Sequence, residues 1–89
     1  MIDCSHGNSN KNFSNQPLVA KDLADQIAAG SKSITSVMIE SNLVEGNQKL
    51  NSDLSKLTHG QSVTDACINW DDTVEVLDTL AEAVRKRRA

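Results

Sequence analysis

Three ionisable residues in this 89-residue chain stand where chemistry could be done: His6, Glu40 and Asp65. His6 follows a short apolar opening run, Glu40 closes the run at 34–40, and Asp65 lies just before the last helical stretch. One imidazole nitrogen and two carboxylate oxygens form a donor set suited to Mn²⁺, Fe²⁺, Co²⁺ or Zn²⁺. The three are far apart in sequence and match no short metal motif, so spacing leaves two readings open. Either they meet at a metal, or they are a loop histidine, a surface carboxylate and a helix-capping aspartate. Cys4 and Cys67 are also far apart and form no redox or metal pair. They read as packed small residues in a reduced, cytosolic setting. His59 reads as a loop histidine.

The elements that must position these residues alternate. Residues 1–5 begin apolar and read as the end of a strand. The stretch His6-Gly7-Asn8-Ser9-Asn10 is rich in turn formers. Asn15-Gln16-Pro17 opens a helix, because Pro suits the first turn. Val19, Leu23 and Ile27 recur at helical spacing, Ala20, Ala24 and Ala28 widen the stripe, and Gly30 stops it. The spacing predicts this helix over residues 18–29. Residues 34–40 are β-branched and mostly apolar, as in a strand buried on both faces of a parallel sheet. Strand parity sets Ser36, Met38 and Glu40 on one face and Val37 and Ile39 on the other.

Residues 41–64 are rich in Asn, Ser and Gly and read as a long loop. A final helix is predicted to start at a capping box of Asp72 and Glu75. Its expected apolar face is Val74, Leu77, Leu80, Ala81 and Val84, with Trp70 as a packing anchor. Acids at its start and Arg85, Lys86, Arg87 and Arg88 at its end suit the helix dipole.

The order is therefore β, α, β, α. Two parallel strands cannot cover their own faces, and such sheets occur almost only with many strands. A complete (β/α)8 TIM barrel takes about 250 residues, so this chain supplies about two of eight units. In such a barrel the C-terminal ends of the strands carry the site, which is where His6, Glu40 and Asp65 fall. Composition supports a piece of something larger. Aromatic residues are 2% of the chain, Trp70 and Phe13 alone, too few for a sizeable independent core. The net charge of −3 argues against a nucleic-acid footprint. No apolar run reaches a membrane span, and Met1 and Ile2 lead straight into Asp3 with no signal peptide between.

Three segments carry a family resemblance: IDCSHGNSNK at 2–11, VMIESNLVEGNQ at 37–48 and SVTDACINWDDT at 62–73. They closely resemble the last part of class I 3-deoxy-D-arabino-heptulosonate 7-phosphate (DAHP) synthases, the microbial, feedback-regulated type. The resemblance covers essentially all 89 residues. It implies that residues 1–89 are a C-terminal fragment, the last two β/α units of the TIM barrel. It also implies that His6, Glu40 and Asp65 are metal ligands, with a fourth ligand, a cysteine, outside this chain.

The implied reaction condenses phosphoenolpyruvate with erythrose 4-phosphate, using a divalent metal ion, and opens the shikimate pathway. His6 would lie near phosphoenolpyruvate and Asp65 near the aldehyde, where it could also move a proton. The parent enzyme is implied to be a cytoplasmic homo-oligomer. The residues that hold the substrate phosphates are absent, so the 89 residues alone are expected to be inactive. The other reading is a non-catalytic truncated product, or an interaction piece of the same ancestry. Asn8, Ser9, Asn10 and Lys11 read first as solvated loop residues and second as residues that shape the loop over the site, and Glu45, Gly46 and Asn47 read as holding the fold of the long loop.

Overall fold

The computed structural model describes residues 1–89. In chain order it contains β1 (Ile2–Asp3), α1 (Gln16–Ala28), β2 (Val37–Met38) and α2 (Trp70–Arg88), with short 3-10 turns at His6–Ser9, Phe13–Asn15 and Leu54–Lys56. The two strands pair in parallel, Ile2 opposite Val37 and Asp3 opposite Met38. Helix α1 forms the crossover between them. The chain measures 53 × 23 × 16 Å, so it is an open slab of helix against strand and not a closed barrel.

Helix α1 starts two residues before the predicted position, with Pro17 in its first turn. Its end follows the expected chemistry. Gly30 has φ 110°, its N–H donates to the Ile27 carbonyl, and the Ser31 N–H reaches back to Gln26. This pair of bonds satisfies carbonyls the helix leaves open, and only glycine takes that φ without strain. Ala20, Leu23, Ala24 and Ile27 are buried against Val76 and Ala83 of α2. The alanines let the two helix backbones approach closely. Cys4, Ile34 and Ile68 complete the core from the strand side.

The second strand is shorter than predicted. Only Val37–Met38 forms a ladder, because β1 is its sole strand neighbour and β1 itself is two residues long. Val37 and Ile39 do pack on the core shared with the helices, as parity requires.

Helix α2 departs from expectation in its cap and its face. The cap is Asn69, whose extended backbone lets its side chain accept the Asp72 N–H at 2.8 Å. Asp72 sits inside the first turn, where its charge still favours the dipole. The buried positions are Thr73, Val76 and Ala83, with Leu80 and Val84 packed beside them. Val74, Leu77 and Ala81 face outward, and Trp70, expected as an anchor, is 54% exposed. An adjacent set of helical positions wins because α1 offers small residues to Val76 and Ala83. Removing the cap with Asn69→Ala is expected to cost about 1 kcal/mol, read as a lower melting temperature. An unchanged melt would show that the first turn of α2 is held by other contacts.

The loop at 41–64 is not slack. Gln48 donates to the carbonyls of Thr58 and Gln61 and accepts the Thr58 N–H, and Gln61 donates to Glu45. Gly60 has φ 77°, and a Cβ there would meet Leu43 at 2.8 Å. The loop therefore closes only with glycine at that point. It is tied to the segment before α2 by bridges between Gly46 and Cys67 and between Asn47 and Ser62.

Both cysteines are free and buried, Cys4 completely. Burial pushes both thiols up, helped by the charge of Asp3 at Cys4 and of Glu40 at Cys67. Both are expected to resist iodoacetamide in the folded protein and to react once denaturant is added. Rapid native alkylation of Cys4, read by mass spectrometry, would contradict this packing. No helix is long and apolar enough to cross a membrane.

Candidate metal centre

The site forms where three separate segments meet beyond the ends of the strands. The chain leaves β1 through Cys4 and Ser5 and turns sharply at His6, which adopts a left-handed φ of 51°. Such a backbone is uncommon for a residue other than glycine and is characteristic of functional sites. It turns the imidazole back over the strand end. The Nδ1 of His6 lies 2.8 Å from Asp3 Oδ2, a hydrogen bond that spans one turn of chain.

Glu40 follows β2 and is held at both backbone and side chain. The amide of Gln16, completely buried at the start of α1, accepts the Glu40 N–H at 2.7 Å and donates to its carbonyl at 3.0 Å. That pairing imitates a strand neighbour. The hydroxyl of Ser5 donates to the Glu40 carboxylate. The Ile68 N–H also reaches the Glu40 carbonyl, and the Ser41 and Thr73 hydroxyls are hydrogen-bonded. These contacts join the end of β2 to α2. Asp65 comes from the segment before α2 and is the most exposed of the three.

His6 Nε2 stands 3.4 Å from Asp65 Oδ2 and 3.8 Å from Glu40 Oε1. The donor atoms of all three residues lie within 4.8 Å of one another. Ligands about 2.1 Å from one divalent ion are separated by roughly 3–4 Å, a range that both His6 spacings meet. The donor set fits as well: a neutral imidazole and two carboxylates suit a first-row divalent metal. Lys11, Phe13, Asn47 and Ala66 complete a cleft of about 400 Å³ around them. The backbones of Asn10 and Lys11 are also left-handed, which folds this loop over the cleft.

The charges act on one another in a consistent direction. The hydrogen bond that Asp3 accepts from the ring raises the His6 pKa, with Asp65 and Glu40 adding to the effect. Reciprocally, His6 and the Ser5 N–H lower that of Asp3. With no metal bound, the charged pair is complete between these two values. It weakens as acid protonates Asp3 below the lowered value. It weakens again as rising pH deprotonates His6 through the raised value.

A second cleft of about 450 Å³ lies at the other end of the strands, between Ile27, Ile34, Leu80 and Val84. Its polar lining, Lys32, Thr35, Ser36 and Arg87, includes no metal-ligating side chain. His59 and the C-terminal basic run stand apart from the His6 cleft. Asp3, Ser5 and Gln16 were not visible as site residues in the sequence. A carboxylate three residues before His6 was the one local signal, since that spacing can bring the two side chains together.

The sequence profile described as the DAHP synthetase I family matches residues 1–78. The phenylalanine-inhibited phospho-2-dehydro-3-deoxyheptonate aldolase of Saccharomyces cerevisiae is 57% identical over 99% of this chain and 24% of its own length. The Phe-sensitive enzyme of Escherichia coli K12 is 54% identical over 99% of this chain and 25% of its own length. Among solved structures, the phospho-2-dehydro-3-deoxyheptonate aldolase of Francisella tularensis SCHU S4 superposes with a TM-score of 0.92. It is 55% identical and covers all of this chain with 25% of its own. This open α/β slab with its His/Glu/Asp cluster therefore belongs to the DAHP synthetase I family. It spans about a quarter of the length of the curated relatives it matches.

Proposed function

We propose that this chain is the C-terminal part of a metal-dependent DAHP synthase, supplying the last two β/α units of its (β/α)8 barrel. The enzyme condenses phosphoenolpyruvate with erythrose 4-phosphate and releases inorganic phosphate. The observation that carries the reading is the convergence of His6, Glu40 and Asp65 within 4.8 Å, at the same ends of parallel strands. The exposed apolar side chains Trp70, Leu77 and Leu18 agree with a piece whose outer faces other units cover.

In this reading His6, through Nε2, and the carboxylates of Glu40 and Asp65 hold the ion, and a cysteine from the rest of the enzyme completes the set. When bound, a divalent ion supplies Lewis-acid polarisation of the aldehyde oxygen. Glu40, clamped by Ser5 and Gln16, fixes the position of the site against the fold. Asp65, open to solvent, can also hold a proton beside the aldehyde. Lys11 places a cation on the cleft wall, where it can face an anionic substrate. The working enzyme is a cytoplasmic homo-oligomer, a setting in which free Cys4 and Cys67 stay reduced.

The test is a graft. This chain replaces the matching quarter of the S. cerevisiae relative, and phosphoenolpyruvate consumption is followed. Consumption is expected to depend on erythrose 4-phosphate and to stop with a chelator, while the 89 residues alone show none. A folded but inactive graft would overturn the enzyme reading and favour a non-catalytic product of the same ancestry.

A further inference from the structure

We propose that Asp3 is a positioning residue that sets the tautomer of His6. It holds the ring with its proton on Nδ1 and its Nε2 lone pair facing the carboxylates of Glu40 and Asp65. The inference deepens the metal-site reading above and rests on it for its functional meaning.

The argument begins with the two oxygens of one carboxylate. Asp3 Oδ1 accepts the Ser5 N–H at 2.7 Å, which fixes the side chain against the turn that leaves β1. The Asp3 carbonyl is held separately by the Asn8 amide at 2.7 Å. Asp3 Oδ2 is then left 2.8 Å from His6 Nδ1. An ionised carboxylate only accepts hydrogen bonds, so a proton must sit on Nδ1. Nε2 also meets a carboxylate, Asp65 Oδ2, but at 3.4 Å, so the single proton of the neutral ring goes to the shorter contact with Asp3 and leaves Nε2 bare. The turn alone requires Oδ1 and does not explain why Oδ2 meets the imidazole. The left-handed backbone at His6 brings the ring there.

The bare Nε2 faces Asp65 Oδ2 at 3.4 Å and Glu40 Oε1 at 3.8 Å. These three acceptors have only the Ser5 hydroxyl, on Glu40 Oε1, as a donor among them, and a cation between them removes the remaining repulsion. The other tautomer would instead aim an N–H into that space and close it to an ion. A carboxylate behind a ligating histidine fixes ring orientation and raises ligand basicity. Asp3 is placed to do both.

Asn in place of Asp3 has one oxygen for two donors. If the oxygen keeps the Ser5 N–H, the amide presents N–H to Nδ1 and favours the wrong tautomer. The experiment uses the grafted enzyme labelled with [15N]histidine, free of metal, at a pH where His6 is neutral. His6 is assigned by its absence in His6→Gln. The expected signal is Nδ1–H with bare Nε2, shifting toward Nε2–H in Asp3→Asn. Co²⁺ affinity, read from the absorption of the bound ion, should fall 10–100-fold in Asp3→Asn, with circular dichroism unchanged.

An Nε2–H ring in the unsubstituted graft overturns the proposal, as does an Asp3→Asn graft with unchanged tautomer and Co²⁺ affinity. If Asp3→Asn fails to fold, the tautomer of the unsubstituted graft decides. If the unsubstituted graft binds no Co²⁺, the metal reading fails, and the tautomer still decides the role of Asp3.

Discussion

Glu40→Ala in the grafted enzyme is expected to abolish metal-dependent turnover and to lower Co²⁺ affinity by more than about 100-fold. That exceeds the 10–100-fold typical of losing a group behind a ligand. Glu40 is the least exposed of the three donors, with its side chain at 20% against 52% for His6 and 68% for Asp65. It is also the one most firmly held. The substitution leaves the Ser5 hydroxyl, itself buried, without the carboxylate it serves. That loss costs about 1–3 kcal/mol. Glu40→Gln keeps a partner for Ser5 and separates the two effects, since it retains stability and still loses the charged ligand. Bound metal, turnover and circular dichroism are the measurements. Full metal occupancy with normal turnover would remove Glu40 from the ligand set. Loss of the fold in Glu40→Ala together with full function in Glu40→Gln would make its role structural.

Gln16→Ala is expected to destabilise the protein by about 2–3 kcal/mol and to weaken metal binding about tenfold, although Gln16 is no ligand. Its amide makes two hydrogen bonds to the backbone of Glu40. The Glu40 carbonyl has a second donor in the Ile68 N–H, but the Glu40 N–H has only Gln16. Removing the amide leaves that half-buried donor unpaired and opens a hole at the start of α1. The end of β2 then loses the partner that fixes its direction, and the carboxylate moves with it. Thermal denaturation gives the first effect and Co²⁺ titration the second. An unchanged melting temperature would show that a neighbouring group takes over the Glu40 N–H.

The two helices were legible in the sequence because their signals are local. Pro17, the Val19–Leu23–Ile27 spacing and Gly30 act within a few residues of one another, and α1 obeys them. For α2 the same local logic supports two caps, Asn69 with Asp72 and Asp72 with Glu75, and two neighbouring faces. The choice falls to the extended backbone at Asn69 and to the alanines that α1 presents, neither of which a local pattern contains. The strands are shorter than expected because β-branched residues mark the tendency to extend, while a ladder also needs a partner alongside, and β1 offers only two residues.

The His6, Glu40 and Asp65 motifs were readable through family resemblance, and the fold brings their donor atoms together. Gln16 was not readable as a site residue. Its role is a side chain imitating a strand to a residue 24 positions away, and composition carries no trace of that.

The separations within the site also bear on the order in which the molecule assembles. The helices can begin on contacts between near neighbours, which form in microseconds or less. The site cannot. Ser5 and Glu40 are 35 residues apart and His6 and Asp65 are 59 apart, so each loop must close before its contact returns any energy. The packing of α1 on α2 and the pairing of β1 with β2 close loops of similar length, so the site and the core depend on the same closures. Closure of loops this long makes the His6 cleft depend on contacts that run across the whole chain.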